Sequence, residues 1–114
     1  VHVNLNQGLQ AREQLTLAAA KFWQVSDLLG IAECLETLAE LALKEQQPGS
    51  HQRAAKLFGA ALGVRRSSGA ATEVITCHAG AADLRRKHLV EWQIGEELSV
   101  QEAVKLASAV PFST

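Results

Sequence analysis

Six side chains in this sequence have the chemistry to ligate a metal or to serve as nucleophile and base: Cys34, Cys77, His2, His51, His78 and His88. Their spacing is poor for either task. Cys77 and His78 are adjacent, so on a helix they diverge by about 100° and cannot chelate one ion, and no second pair stands at i, i+4. A Cys–His nucleophile needs closeness in space only. Yet no strained turn or Gly-rich loop is present to supply the oxyanion donors such a site needs. Nucleotide chemistry requires a backbone cradle for phosphate, and neither Gly-x-x-x-x-Gly-Lys-Ser/Thr nor Gly-x-Gly-x-x-Gly occurs. The expectation is a chain without catalytic residues, metal or cofactor. Its rival is a small helical metal- or thiol-dependent enzyme using Cys77, His78 and His88.

The charged residues are more suggestive. Glu33, Glu36 and Glu40 fall at i, i+3 and i+7, one face of a helix, whereas His51, Arg53, Lys56, Arg65 and Arg66 make the following segment basic. Solvated faces with some pairing between helices explain this most simply. The run Arg85-Arg86-Lys87-His88 could touch phosphate, but Glu91, Glu96 and Glu97 cancel most of its field, and no recognition helix or stacking aromatics accompany it. Eleven basic against twelve acidic residues, a net charge of -1, create no global field that would recruit nucleic acid or an anionic membrane. Direct DNA binding ranks as the third reading.

These groups need elements to position them. At 114 residues, 47% hydrophobic and 20% charged, the chain is long enough for one globular core and too short for two. Two distant cysteines suit a reducing compartment, so a cytoplasmic location is expected. No apolar run is long enough to span a membrane. The chain begins with Val and contains no Met, which reads as a piece of a longer polypeptide.

Helical periodicity dominates. Ala11, Leu15, Ala18, Ala19 and Phe22 define one face of a first helix within Leu9 to Ser26. Asp27 can cap a second helix carrying Ile31, Cys34, Leu35, Leu38, Leu41 and Ala42. Gln46-Gln47-Pro48-Gly49-Ser50 is a turn with a possible cap at Ser50. A third helix buries Ala54, Phe58, Ala61 and Leu62 and stops at Ser67-Ser68-Gly69, while Gly59 and Gly63, one turn apart, permit a close helix neighbour. Thr72 to Thr76 is β-branched and equivocal, with helix favoured. Ala82 to about Ile94 reads as one helix closed by Gly95. Ser99-Val100-Gln101-Glu102 is a capping box opening a last helix with Ala103, Val104, Leu106 and Ala107 buried, ended by Pro111.

The face Ala11, Leu15, Ala18 recurs at constant offset as Ala54, Phe58, Ala61, the small-large-small pattern that lets helical hairpins stack. With Leu35-x-x-Leu38-Ala39-x-x-Ala42 between them, the stretch from Leu35 to Ala61 resembles a tetratricopeptide repeat. Ala42 replaces the usual aromatic, Pro48-Gly49-Ser50 lengthens the turn, and Arg66 stands where that family often has Pro. Further on, Trp92-x-x-Gly95-x-x-Leu98-Ser99-x-x-Glu102-Ala103-Val104 is similar to the close of the helical region of bacterial multidomain signal-transduction ATPases and LuxR-type transcriptional regulators. Gly30-Ile31-Ala32-Glu33-Cys34-Leu35-Glu36 with Leu38-Ala39 is similar to the last repeat of those arrays.

The resemblance implies an all-α domain of five to six helices, antiparallel hairpins in a short right-handed superhelix. Residues 9–26 and 28–66 would form repeat-like hairpins and 70–110 the capping helices, all within one domain of 1–114. It further implies a non-catalytic protein-interaction scaffold, the C-terminal helical part of a regulator. Glu33, Glu36, Glu40, Leu43 and Lys44 would line a groove acidic overall, suited to a basic or amphipathic peptide. The expected partners are such a segment, the nucleotide-binding module of the parent chain, or a second copy in a homodimer formed through an apolar edge near Leu5 and Leu9.

Overall fold

The computed structural model describes residues 5–45, 48–69 and 80–109; among these all regular secondary structure is helical, with no strand. The expectations for residues 72–76 and for Cys77, His78 and Pro111 lie outside the described residues, as do the side chains of Leu5 and Leu9. Among the described residues six helices follow in order: α1 Leu5–Gln24, α2 Leu28–Lys44, α3 Ser50–Ser68, α4 Ala81–Lys87, α5 Leu89–Glu96 and α6 Val100–Ala109. None of the helices among the described residues is long and apolar enough to cross a membrane.

Local chemistry explains most of the boundaries. Helix α1 ends two residues before the expected Ser26, because Ser26 adopts a left-handed φ of 58°. From there the Ser26 N–H donates to the Trp23 carbonyl (3.2 Å) and the Asp27 N–H to that of Phe22 (2.8 Å). This paired closure satisfies carbonyls the helix leaves orphaned, usually with glycine at the left-handed position. Asp27 then caps α2 as expected, its Oδ1 accepting from the Gly30 N–H at 3.0 Å. At α3 the cap differs from expectation. Left-handed Gly49, φ 82°, precedes the helix, and Ser50 is its first residue, buried, with its hydroxyl donating to the Glu45 carbonyl at 2.9 Å. Gly69, φ 78°, closes α3. The capping box is reciprocal: the Ser99 N–H donates to Glu102 Oε1 (2.9 Å) and the Glu102 N–H to Ser99 Oγ (3.1 Å). These bonds hold the Glu102 carboxyl below the ordinary carboxylate range.

The segment 82–94 does not form one helix. It breaks at His88 (φ −128°, ψ 49°), whose N–H still closes α4 on the Leu84 carbonyl while its own carbonyl accepts from the Trp92 N–H. Across the bend the Arg85 guanidinium lies 6.0 Å from the Trp92 ring centre, a cation–π distance.

Gly95 is likewise no stop signal. It is buried inside α5 where that helix crosses α3, and a methyl added there would land on the Lys56 carbonyl oxygen. Gly59 is the reciprocal case, since its methyl would strike the Trp92 carbonyl oxygen, and a methyl at Gly63 would come within 2.8 Å of the Glu96 carbonyl. Three glycines thus bring two helix backbones into contact, the small-x-x-x-small packing expected at Gly59 and Gly63. Beside the crossing, Trp92 is fully buried and stacks on Phe58 with centroids 6.0 Å apart and planes inclined 20°. Its indole N–H donates to Glu96 Oε1 at 2.7 Å, and Glu96 Oε2 accepts from Arg66 at 3.1 Å.

Helix α2 is the central rod. It packs on α1, α3 and α6, and only Leu29, Glu33, Thr37, Glu40 and Lys44 of its residues are exposed. Helix α6 returns to α1, where the Thr16 hydroxyl donates to the Ala107 carbonyl at 3.2 Å.

Two expectations follow for stability. Gly95→Ala and Gly59→Ala should each destabilise the fold by about 2 kcal/mol or more in urea titrations, because overpacking against backbone outweighs the roughly 1 kcal/mol that Ala gains in helix propensity. Ser26→Gly should stabilise it by roughly 0.5–1 kcal/mol, since glycine accepts the left-handed φ without a Cβ clash; an unchanged or lower midpoint would contradict this.

Candidate partner-binding surface

Helix periodicity puts Glu33, Thr37, Glu40 and Lys44 in one row along α2, beginning at the half-exposed Leu29. The row is one residue wide because neighbouring helices cover the rest of the circumference. Thr37 adds no free hydroxyl proton, since it donates to the Glu33 carbonyl at 2.9 Å. Two carboxylates and one terminal ammonium leave the row acidic overall.

Of the five residues expected in the groove, Glu33, Glu40 and Lys44 are exposed on this row, and Leu43 is half-buried. Glu36 differs from expectation. It is only 6% exposed and accepts two hydrogen bonds from Arg65, from Nε at 2.6 Å and Nη2 at 2.9 Å. The fork geometry of guanidinium matches a carboxylate, so a buried charge is compensated in place rather than offered to a partner. The physical reason is crowding: α3 lies over the side of α2 on which Glu36 projects.

A second polar cluster closes the far end of α2. Glu45, beyond the last turn, sits at the negative end of the helix dipole, where a carboxylate is disfavoured. It pairs with the buried Arg12 of α1, and Arg53 Nη2 of α3 lies 3.6 Å from its other oxygen. Burial, and secondarily the charge of Arg53, lower the Arg12 pKa from its ordinary value. Three helices are tied together there.

An open depression of about 530 Å³ adjoins this cluster, lined by Leu43, Glu45, Gly49, Ser50, His51, Gln52 and His88. The His51 and His88 rings meet edge to face with centroids 6.3 Å apart. Sequence spacing did not suggest this pair, because it arises from the bend at His88. No group of three or more His, Cys, Asp or Glu side chains among the described residues could hold a metal ion. Cys34 is buried, and burial, with Glu33 and Asp27 adding to it, pushes its thiol pKa up, away from the thiolate that nucleophilic chemistry needs. Of the rival constellation, only His88 is described, and it faces His51.

The motif from Trp92 to Val104 resolves into packing roles. Trp92 stacks on Phe58, Gly95 admits the α3 backbone, Leu98 packs against the core, Ser99 and Glu102 cap α6, and Ala103 and Val104 are buried. Comparison with protein-family models, curated proteins and solved structures gave no match to this chain.

The Glu36–Arg65 pair generates a sharp expectation. Arg65→Met should cost about 3 kcal/mol, because it removes two guanidinium hydrogen bonds from a buried carboxylate, whereas the double variant Glu36→Leu/Arg65→Met should recover most of that loss. A thermodynamic cycle from denaturant melts measures the coupling, and simple additivity would show the pair to be weak.

Proposed function

We propose that this domain is a non-catalytic protein-interaction scaffold of tetratricopeptide-like design, acting as the C-terminal helical part of a bacterial ATPase-type transcriptional or signalling regulator in the cytoplasm. The observation that carries the reading is the exposed row on α2. Leu29, Glu33, Thr37, Glu40 and Lys44 stand in line on a rod held on its other sides by α1, α3 and α6. A rigid rod with a single acidic row presents a partner with charge at helical spacing and little side-chain reorganisation to pay for on binding.

Further support comes from the pairing of α2 with α3 as a hairpin and from the structural roles available to each residue of the Trp92–Val104 motif. The binding residues are Glu33, Glu40 and Lys44 with Leu29 at one end and Leu43 alongside, and Glu36 acts indirectly by fixing α3 through Arg65. The partner is a basic or amphipathic helical segment, supplied by another protein or by the nucleotide-binding module of the parent chain. Its cations would face Glu33 and Glu40, and its apolar face Leu29.

A fluorescently labelled amphipathic Leu/Lys peptide tests the reading by anisotropy. Binding should weaken about tenfold or more in Glu33→Lys/Glu40→Lys and should decline with added salt as exposed charge pairs are screened. Equal binding by wild type and variant would refute the assignment of this row.

A further inference from the structure

The geometry points to a binding site for a late first-row divalent ion, copper, nickel or zinc, held between the imidazoles of His51 and His88. It goes beyond the scaffold reading and does not depend on it. The two residues belong to different elements: His51 is the second residue of α3, and His88 is the break between α4 and α5. The fold nevertheless brings their ring centres to 6.3 Å, with the planes inclined 76°. Two imidazoles sharing one ion through metal–nitrogen bonds of about 2.1 Å have ring centres roughly 5 to 6 Å apart, the distance growing as the angle at the metal opens. The pair stands at the wide end of that range. Its edge-to-face contact turns the face of one ring to the other, so chelation needs one imidazole to rotate about its side-chain bonds. His51 is exposed and has the room to do so.

Two observations mark the pair as open to a ligand. Among the described residues no hydrogen bond or ion pair engages either imidazole, so their nitrogens are not already committed. Both rings also line the open depression of about 530 Å³, which gives an ion a path from solvent. A coordinated water occupies only about 30 Å³, so the remaining positions of the ion can be filled there.

The surroundings select the kind of ion. Among the described residues lining the depression the one carboxylate is Glu45, and it is engaged by Arg12 and Arg53. Asp83, on the helix that ends at His88, is likewise engaged by Arg86 and Lys87. Calcium and magnesium require oxygen ligands, and these carboxylates are already paired with cations. Imidazole nitrogen suits copper, nickel and zinc instead, with affinity greatest for copper. Three protein ligands are not assembled among the described residues, so the ion keeps water in its other positions and exchanges with solvent. When bound, it ties the start of α3 to the break at His88. Because the unfolded chain does not hold the two rings together, occupancy stabilises the fold.

Calorimetric titration of the chain with Cu²⁺, Ni²⁺, Zn²⁺ and Mg²⁺ chlorides tests this, with thermal melting by circular dichroism at each end point. His2, Cys77 and His78, outside the described residues, are competing donors, so the titration is repeated in His2→Gln/Cys77→Ser/His78→Gln. That variant should still bind one ion per chain, Cu²⁺ more tightly than Ni²⁺ or Zn²⁺ and Mg²⁺ not at all, with a raised melting midpoint. Adding His51→Gln or His88→Gln to it should weaken binding about tenfold or more, because one ligand alone has no chelate partner. In nuclear magnetic resonance spectra of the unsubstituted chain, substoichiometric Ni²⁺ should broaden the imidazole signals of His51 and His88 together. Should His88→Gln lose helical signal, His51→Gln and the broadening pattern decide the matter, since His51 is exposed. Binding that vanishes in His2→Gln/Cys77→Ser/His78→Gln overturns the proposal, as does binding in that variant that survives His51→Gln undiminished. The α2 peptide assay, run without metal, reads the scaffold assignment separately.

Discussion

Two helix backbones in direct contact, α3 and α5, set the arrangement of everything that follows α3. Gly59, Gly63 and Gly95 remove every side chain from the crossing, and the approach this allows brings Trp92 flat against Phe58. The same approach sets the Trp92 indole N–H on Glu96 and, through Glu96, engages Arg66. A backbone contact of this kind tolerates no gradual loosening. One methyl on either helix separates the rods by more than the stacked rings can follow, and the dispersion energy of the largest buried side chain in the fold falls off with that gap. The bend at His88 adjoins this crossing, and across it Arg85 reaches the Trp92 ring.

The elements were largely legible in the sequence because their signals are local. Asp27, Gly69 and the Ser99–Glu102 box act on backbone groups within a few residues, and each stands where its chemistry required. Gly59 and Gly63 announced a close neighbour, but nothing in a helical period says which helix supplies it, so Gly95 read as a terminator when it was the other half of the crossing. The break at His88 left no trace because neither Gly nor Pro marks it. Glu36 is the instructive case for the candidate surface. Its spacing from Glu33 and Glu40 is that of one helical face, yet a face is a statement about angle, and the number of neighbours around a helix belongs to the tertiary fold. With three neighbours, α2 keeps a row one residue wide, and a side chain displaced from that row by a fraction of a turn is buried. One signal was available and unread: a glutamate just past a helix C-terminus, as at Glu45, is unfavourable by itself and implies nearby cations, here Arg12 and Arg53.

Charge in this molecule therefore divides by burial into two kinds with different tasks. Arg65 on Glu36 and Arg12 on Glu45 lie largely out of water, where each partner would be costly alone, and they fix how α1, α2 and α3 sit on one another. Glu33, Glu40 and Lys44 remain in solvent, where a pair contributes little to folding and more to the orientation of whatever it meets.

The course of α6 bears on how the exposed row is held. In an array whose units touch only their neighbours, stability is close to a sum of local terms and an end can fray without consequence elsewhere. Here α6 packs on α1, α2 and α3 together, and Thr16 bonds to the Ala107 carbonyl across nearly the whole described chain. The last helix depends on the first, so loosening at either end is felt by the central rod that carries the acidic row. Leu98 and Val100, packed against the core, connect α6 back to the end of α5.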